Sequence, residues 1–248
     1  MNNQTKGVLI TGIGVLALIP DSLIIRLIDE ATMTVAFWRA GLSGIAITIF
    51  LLFTQGPKSL TNFSPPTLFF ATCYAANTIL YVIALSLTSV AATVFLLATA
   101  PVWALIISWI FLKEPLTTRM TLTVILTMIG IAIISAGSSL NFGALLGNLA
   151  ALGVAISLAI AFTIARSSPQ ISMVPATALS YIVAALVVMP FVSSYTMEAE
   201  DWPKMLILGG ALLPLATCFM AIGPRYITSA EVGLLLVLES IFAPILVW

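Results

Sequence analysis

Three charged residues, Asp21, Arg39 and Glu239, sit away from the ends of apolar runs long enough to cross a bilayer. At the centre of a membrane helix such a group costs about 2.5–3.5 kcal/mol on translocon scales, so each needs a reason to be there. Asp21 follows Pro20, about two-thirds along the first run. It reads either as a substrate or proton site beside a backbone loosened by Pro20, or as an outer-end residue that reaches headgroup water or pairs with an arginine. Arg39 lies about six residues into the second run, or about 9 Å deep at 1.5 Å per residue. A hairpin places Asp21 at similar depth, so an Asp21–Arg39 pair is expected, as a structural clamp or as an anion-binding or gating element. Glu239 is the deepest carboxylate, near the middle of the last run. It reads as a proton-coupling or substrate-amine site, because membrane carriers hold ligands near the midplane of a repeat interface. Its other reading is a hydrogen-bonded or protonated packing residue.

Tyr74, Asn77 and Tyr81 are spaced i, i+3 and i+7 and share one helical face. Such a stripe lines a hydrophilic cavity or makes helix–helix hydrogen bonds. Trp38 and Trp103 are cavity aromatics or, as membrane tryptophans commonly are, packing and interface residues. Arg26 and Glu231 lie near span ends, where long side chains reach the interface. Prolines 20, 101, 190, 214 and 244 interrupt apolar runs. Each removes a backbone donor, which suits helices that bend during alternating access and also suits static kinks. The chain has no histidine, the commonest metal ligand and general base. It has no Walker loop, no GxSxG and no HExxH, so no ATP-driven step, metal centre or cofactor is expected. Cys73 and Cys218 lie in apolar runs and read as packing residues.

The elements that position these groups follow from composition. Hydrophobic residues make up 61% of the 248, charged residues 7%, and the mean hydropathy is +1.19. Soluble domains carry roughly 25% charged residues, so the solvent of this chain is lipid. Zero net charge gives no electrostatic case for nucleic acid. Nine apolar runs approach the roughly 20 residues that a spanning helix needs: 7–28, 33–53, 66–87, 89–112, 120–137, 143–165, 172–195, 205–223 and 229–248. They are too long and too uniformly apolar for barrel strands, so an all-α polytopic membrane protein is expected. With a cytoplasmic N-terminus, Lys6, Lys58, Lys113, Arg119, Arg166 and Arg225 fall inside. Lys204 falls outside with Asp29, Glu30, Glu198, Glu200 and Asp201. That is the positive-inside pattern of a multi-pass inner-membrane protein.

An offset of 140 residues places Thr88-Ser89 on Thr228-Ser229 and the run 90–108 on 230–248. That offset covers five spans, an odd number, so the copies enter the membrane from opposite sides as an inverted 5+5 pair. The expected units are a first repeat at 1–138 and a second at 139–248. The chain stops inside a run, so the second repeat is expected to be truncated in its fourth helix, with one span missing after Trp248.

The stretch Thr88 to Pro115, TSVAATVFLLATAPVWALIISWIFLKEP, resembles the fourth span and following loop of the EamA-type transporters of the drug/metabolite transporter superfamily. Phe37-Trp38-Arg39-Ala40 resembles that family's second span, Thr228 to Pro244 its ninth, and Pro20 to Arg26 the first span of one bacterial subgroup. The family loop usually has Gly before its Glu; here that position is Lys113. The resemblance implies ten helices in two inverted halves and efflux of a small metabolite, often an amino acid, across the cytoplasmic membrane. It implies a secondary transporter and not an enzyme, with a small-molecule substrate and the lipid bilayer as partners; the energy source is either a proton gradient through Glu239 or Asp21, with protons as a further partner, or downhill flow. Asp21, Arg39, Tyr74, Asn77, Tyr81, Trp103 and Glu239 are the binding or coupling candidates. A membrane-embedded enzyme on a lipid-linked substrate and a non-transporting scaffold remain the competing classes; only the transporter needs a sealed membrane to show its activity.

Overall fold

The computed structural model describes residues 3–61, 63–114 and 142–247, with 118, 121, 122, 125, 126 and 129. The described residues are mostly helical, and no strand occurs among them. The helices are α1 Asn3–Leu18, α2 Pro20–Arg26, α3 Thr32–Thr54, α4 Pro65–Leu87, α5 Val90–Leu97, α6 Ala100–Leu112, α7 Phe142–Ser167, α8 Val174–Val188, α9 Trp202–Ile207, α10 Leu213–Ile222 and α11 Ser229–Val247. Several join into longer rods. Seven stretches are long and apolar enough to cross a membrane, among them Asn3–Arg26, Ala92–Leu112 and Trp202–Arg225; α11 follows them at the C-terminal end. The expected span at 120–137, with Arg119, lies largely outside the described residues.

Helices form because lipid leaves the backbone no other partner. The side chains then sort by bulk and polarity. Large apolar groups such as Phe53 and Phe111 are 88% and 75% exposed, as expected where the surrounding medium is hydrocarbon. Small residues mediate close packing. A Cβ on Gly14 of α1 would stand 2.9 Å from the carbonyl oxygen of Ala216 in α10, so only glycine permits that approach. A Cβ on Gly147 of α7 would come within 2.8 Å of Thr88.

The connections are tied in two sets that match an alternating path. At one end Gln4 donates to Glu231 (3.2 Å), Arg166 pairs with Glu114 (3.3 Å), Arg225 donates to the Pro169 carbonyl and Lys6 lies over the Tyr226 ring. At the other end Lys204 donates to the Leu27 carbonyl, the Glu198 amide to Glu30, Thr34 to the Ser194 carbonyl and Trp38 to the Tyr195 carbonyl. Glu231 is more than an interfacial residue. It accepts from the Thr228 amide (2.8 Å) while Thr228 Oγ1 accepts from the Glu231 amide (3.2 Å), a reciprocal cap on α11. Arg26 is exposed and donates to the Thr88 carbonyl, 2.9 Å away.

Three rods are interrupted at mid-depth. The first breaks at Ile19, ahead of Pro20. The fourth breaks at Ala98-Thr99, where Pro101 withdraws the donor that the Leu97 carbonyl would receive. The stretch Trp202–Arg225 passes through a π turn, Leu208–Leu212, just before Pro214. One extra residue in the turn accommodates the missing proline donor. At the end of α6, Lys113 adopts the left-handed conformation, φ 54° and ψ 30°. This is the position at which the resembled family carries glycine, and the backbone shows why: a left-handed helix cap favours a residue with no Cβ.

Candidate substrate cavity

The three interruptions converge. Leu18, next to the first break, Leu97, next to the second, and Leu213, next to the π turn, all line one central cavity. Local disorder of the hydrogen-bond ladder is tolerated at membrane depth only where the backbone faces protein or a cavity, and here it faces both.

Asp21 at the start of α2 and Arg39 in α3 form the pair that the hairpin geometry requires. Arg39 Nε donates to Asp21 Oδ1 at 3.1 Å, and Arg39 Nη2 donates to Asp21 Oδ2. Their side chains are 1% and 5% exposed. A bidentate, charge-assisted contact is the geometry in which a buried pair offsets most of its desolvation. On its other side Arg39 lies over the ring of Tyr81, 5.3 Å from the centroid. Tyr81 in turn donates its hydroxyl to Glu239 Oε1 at 3.3 Å. Tyr81 therefore bridges a cation and a carboxylate, one through its face and one through its edge.

Among the described residues six buried side-chain polar atoms have no hydrogen-bond partner; four are the hydroxyls of Thr11, Ser22, Thr48 and Ser229, and the two on charged residues are Arg39 Nη1 and Glu239 Oε2. Both residues line the same cavity. The cavity thus presents one unused cationic donor and one unused anionic acceptor. Its free volume is about 30 Å³, room for about two waters.

Of the residues singled out from the sequence, Asp21, Arg39, Tyr74, Asn77, Tyr81 and Glu239 all line this cavity. Asn77 also donates to the Val154 carbonyl of α7 at 3.2 Å, so part of its polarity goes to bracing helices. Tyr74 stacks on Phe70 and meets Tyr181 edge-on. Trp103 is the exception. It does not line the cavity, and its indole N–H donates to Thr99 one turn back on the same rod, 3.1 Å away. Trp38 belongs to an aromatic cluster at the Lys204 end, edge-on to Phe37 and Trp202. Tyr181 and Thr217 line the cavity and were missed; Ser180-Tyr181 is a polar interruption of an otherwise apolar run, which is the signal they offered. Cys73 and Cys218 are free thiols. No group of metal-ligating side chains occurs among the described residues.

A bundle of spanning helices, broken at mid-depth around a small charged chamber, defines a polytopic membrane protein. Residues 22–136 match the EamA-like transporter family, so the resemblance read from the sequence is borne out over that stretch. A solved crystal structure with 17% sequence identity has the same fold: the TM-score is 0.78, over 98% of this chain and 87% of the other. No curated protein matches the chain.

Proposed function

We propose that the chain is a secondary transporter that exports a small zwitterionic metabolite, an amino acid, across the cytoplasmic membrane by alternating access. The observation that carries this reading is the pair of unused atoms in one cavity. Arg39 Nη1 suits a carboxylate and Glu239 Oε2 suits an ammonium. A buried polar atom left without a hydrogen-bond partner costs its desolvation, so a ligand that satisfies both atoms gains more than either contact gives in water. Asp21 holds the guanidinium, Tyr81 holds the carboxylate, and Tyr74 and Asn77 complete the wall.

In this reading the closed chamber, with room for about two waters, is a state between two open ones. Substrate enters as the broken rods move apart. Residues 1–138 and 139–248 act as the two inverted halves, and the ends bearing Lys6, Lys58 and Arg225 face the cytoplasm. When the substrate leaves, Glu239 loses its cationic partner, and a proton takes that place on the return. Reactions at the site are confined to binding and proton exchange; no bond of the substrate is broken.

The test is a metabolite profile of the medium around cells producing the protein, with Glu239→Gln beside it. Glutamine keeps the shape and the contact with Tyr81 but removes the charge. One amino-acid class accumulating outside with the unmutated protein alone supports the proposal. Equal profiles for both proteins, with label retained in preloaded proteoliposomes, overturn it.

A further inference from the structure

A second, roomier chamber lies beyond the central one, toward the end of the molecule that bears Lys204. Its volume is about 190 Å³, and it is formed by the ends of α2, α3 and α4. Its register to the central cavity is fixed by helix geometry. Ile25 is four residues from Asp21, Val35 four from Arg39, and Leu85 four from Tyr81. Each step is one turn on the same face, about 6 Å. Three of the polar residues of the central cavity therefore each have an apolar residue directly outward of them. Those residues, Ile25, Val35 and Leu85, are buried. They form a layer one turn thick between the two chambers.

The outer chamber is apolar at this floor and charged at its rim. Arg26 and Glu30 both line it. Neither is in an ion pair among the described residues. Arg26 spends one contact on the Thr88 carbonyl and Glu30 one on the Glu198 amide. The rim thus repeats, one layer further out, the chemistry of the centre: a cation and a carboxylate that face one space without neutralising each other.

We propose that this chamber is an outer waiting site for the transported zwitterion, with Arg26 on its carboxylate and Glu30 on its ammonium, and that Ile25, Val35 and Leu85 are the plug between the two sites. The proposal rests on the transporter reading above. It adds that substrate leaves in two steps, and that only the plug has to part for the first of them. A zwitterionic lipid headgroup has the same chemistry, so the test must separate the two sources.

The experiment measures transport of a labelled amino acid in vesicles of both orientations, for the unmutated protein, Arg26→Gln, Glu30→Gln and Leu85→Ala. The charge variants are expected to raise the apparent KM about three- to fivefold from the Lys204 face, the effect of a solvent-screened charge contact, with no change from the opposite face. Leu85→Ala is expected to let preloaded label leak out with no change in KM from the Lys6 face. Equal effects from both faces, or no effect, overturn the waiting site. A KM shift present in vesicles containing phosphatidylethanolamine and absent in phosphatidylglycerol alone assigns the chamber to a headgroup and also overturns it. Loss of all transport in the unmutated protein instead sinks the transporter reading, so the two failures are told apart. Since a charge variant that failed to fold would lose transport from both faces, the variant protein's melting temperature in detergent accompanies each assay.

Discussion

Replacing Asp21 with asparagine removes half of a buried bidentate pair whose members are 1% and 5% exposed. Exposure this low leaves no solvent screening to discount. Arg39 keeps its charge, its contact with the Tyr81 face and its unused Nη1, but loses the negative charge opposite it and one of its two acceptor oxygens, which becomes an amide NH2. Breaking a buried pair costs about 3–5 kcal/mol, and the lower end applies in a bilayer because separated helices also bury their charges. For a chain of this size about 3 kcal/mol corresponds to a fall of about 6–12 °C in melting temperature. The neutral pair Asp21→Asn with Arg39→Gln keeps hydrogen bonding and removes both charges. A double-mutant cycle in detergent, read by thermal unfolding, is expected to show that the double variant is more stable than the sum of the singles by about 2 kcal/mol or more. If the effects add to within about 0.5 kcal/mol, the two charges do not hold each other, and the clamp is refuted.

Further expectations can be checked with the same melts and the vesicle assay. Gly14→Ala places a methyl 2.9 Å from a backbone oxygen, whereas Gly12 has nothing within 4 Å; the first change is expected to lower the melting temperature by several degrees and the second to leave it unchanged. Lys113→Gly relieves a left-handed φ of 54° and is expected to stabilise the chain by about 1 kcal/mol; a lower melting temperature would deny the strain. Trp103→Phe loses only a bond to Thr99 on its own rod and is expected to transport normally, so a loss as large as that of Glu239→Gln would restore Trp103 to the site.

What the sequence shows of the site is depth. Hydropathy places Asp21, Arg39 and Glu239 at mid-membrane, and i, i+3, i+7 spacing places Tyr74, Asn77 and Tyr81 on one face. It shows azimuth poorly. In water an apolar stripe points inward, but in lipid both faces of a helix are apolar, because hydrocarbon tails resemble leucine. The depth of Trp103 was therefore legible but not the side of its rod that it occupies, while Tyr181 went unnoticed in an equally apolar run. The breaks were partly legible. Pro20 and Pro101 announce them, but no residue pattern in Leu208–Leu212 announces a π turn, which depends on how α9 and α10 must meet α3. Lys113 could be read as a deviation from a family habit; only its dihedral angles explain the habit. The Glu231 cap follows the Thr-x-x-Glu pattern at 228–231, and charge at a span end masked it as an interface residue.

The Asp21–Arg39 pair also bears on how the chain is made. Its members are 18 residues apart in sequence, on consecutive spans. At about 5–20 residues per second of synthesis, the second charge follows the first within about four seconds. Either one alone opposes entry into the bilayer; together they form a unit of no net charge. The first two spans are thus suited to leave the translocon as one hairpin, locked before the rest of the protein exists. Glu239 is made about 200 residues later, when Tyr81 is already in place to receive it. Biogenesis therefore runs from a neutral, stable hairpin to a chamber whose unmatched carboxylate arrives after the groups that receive it.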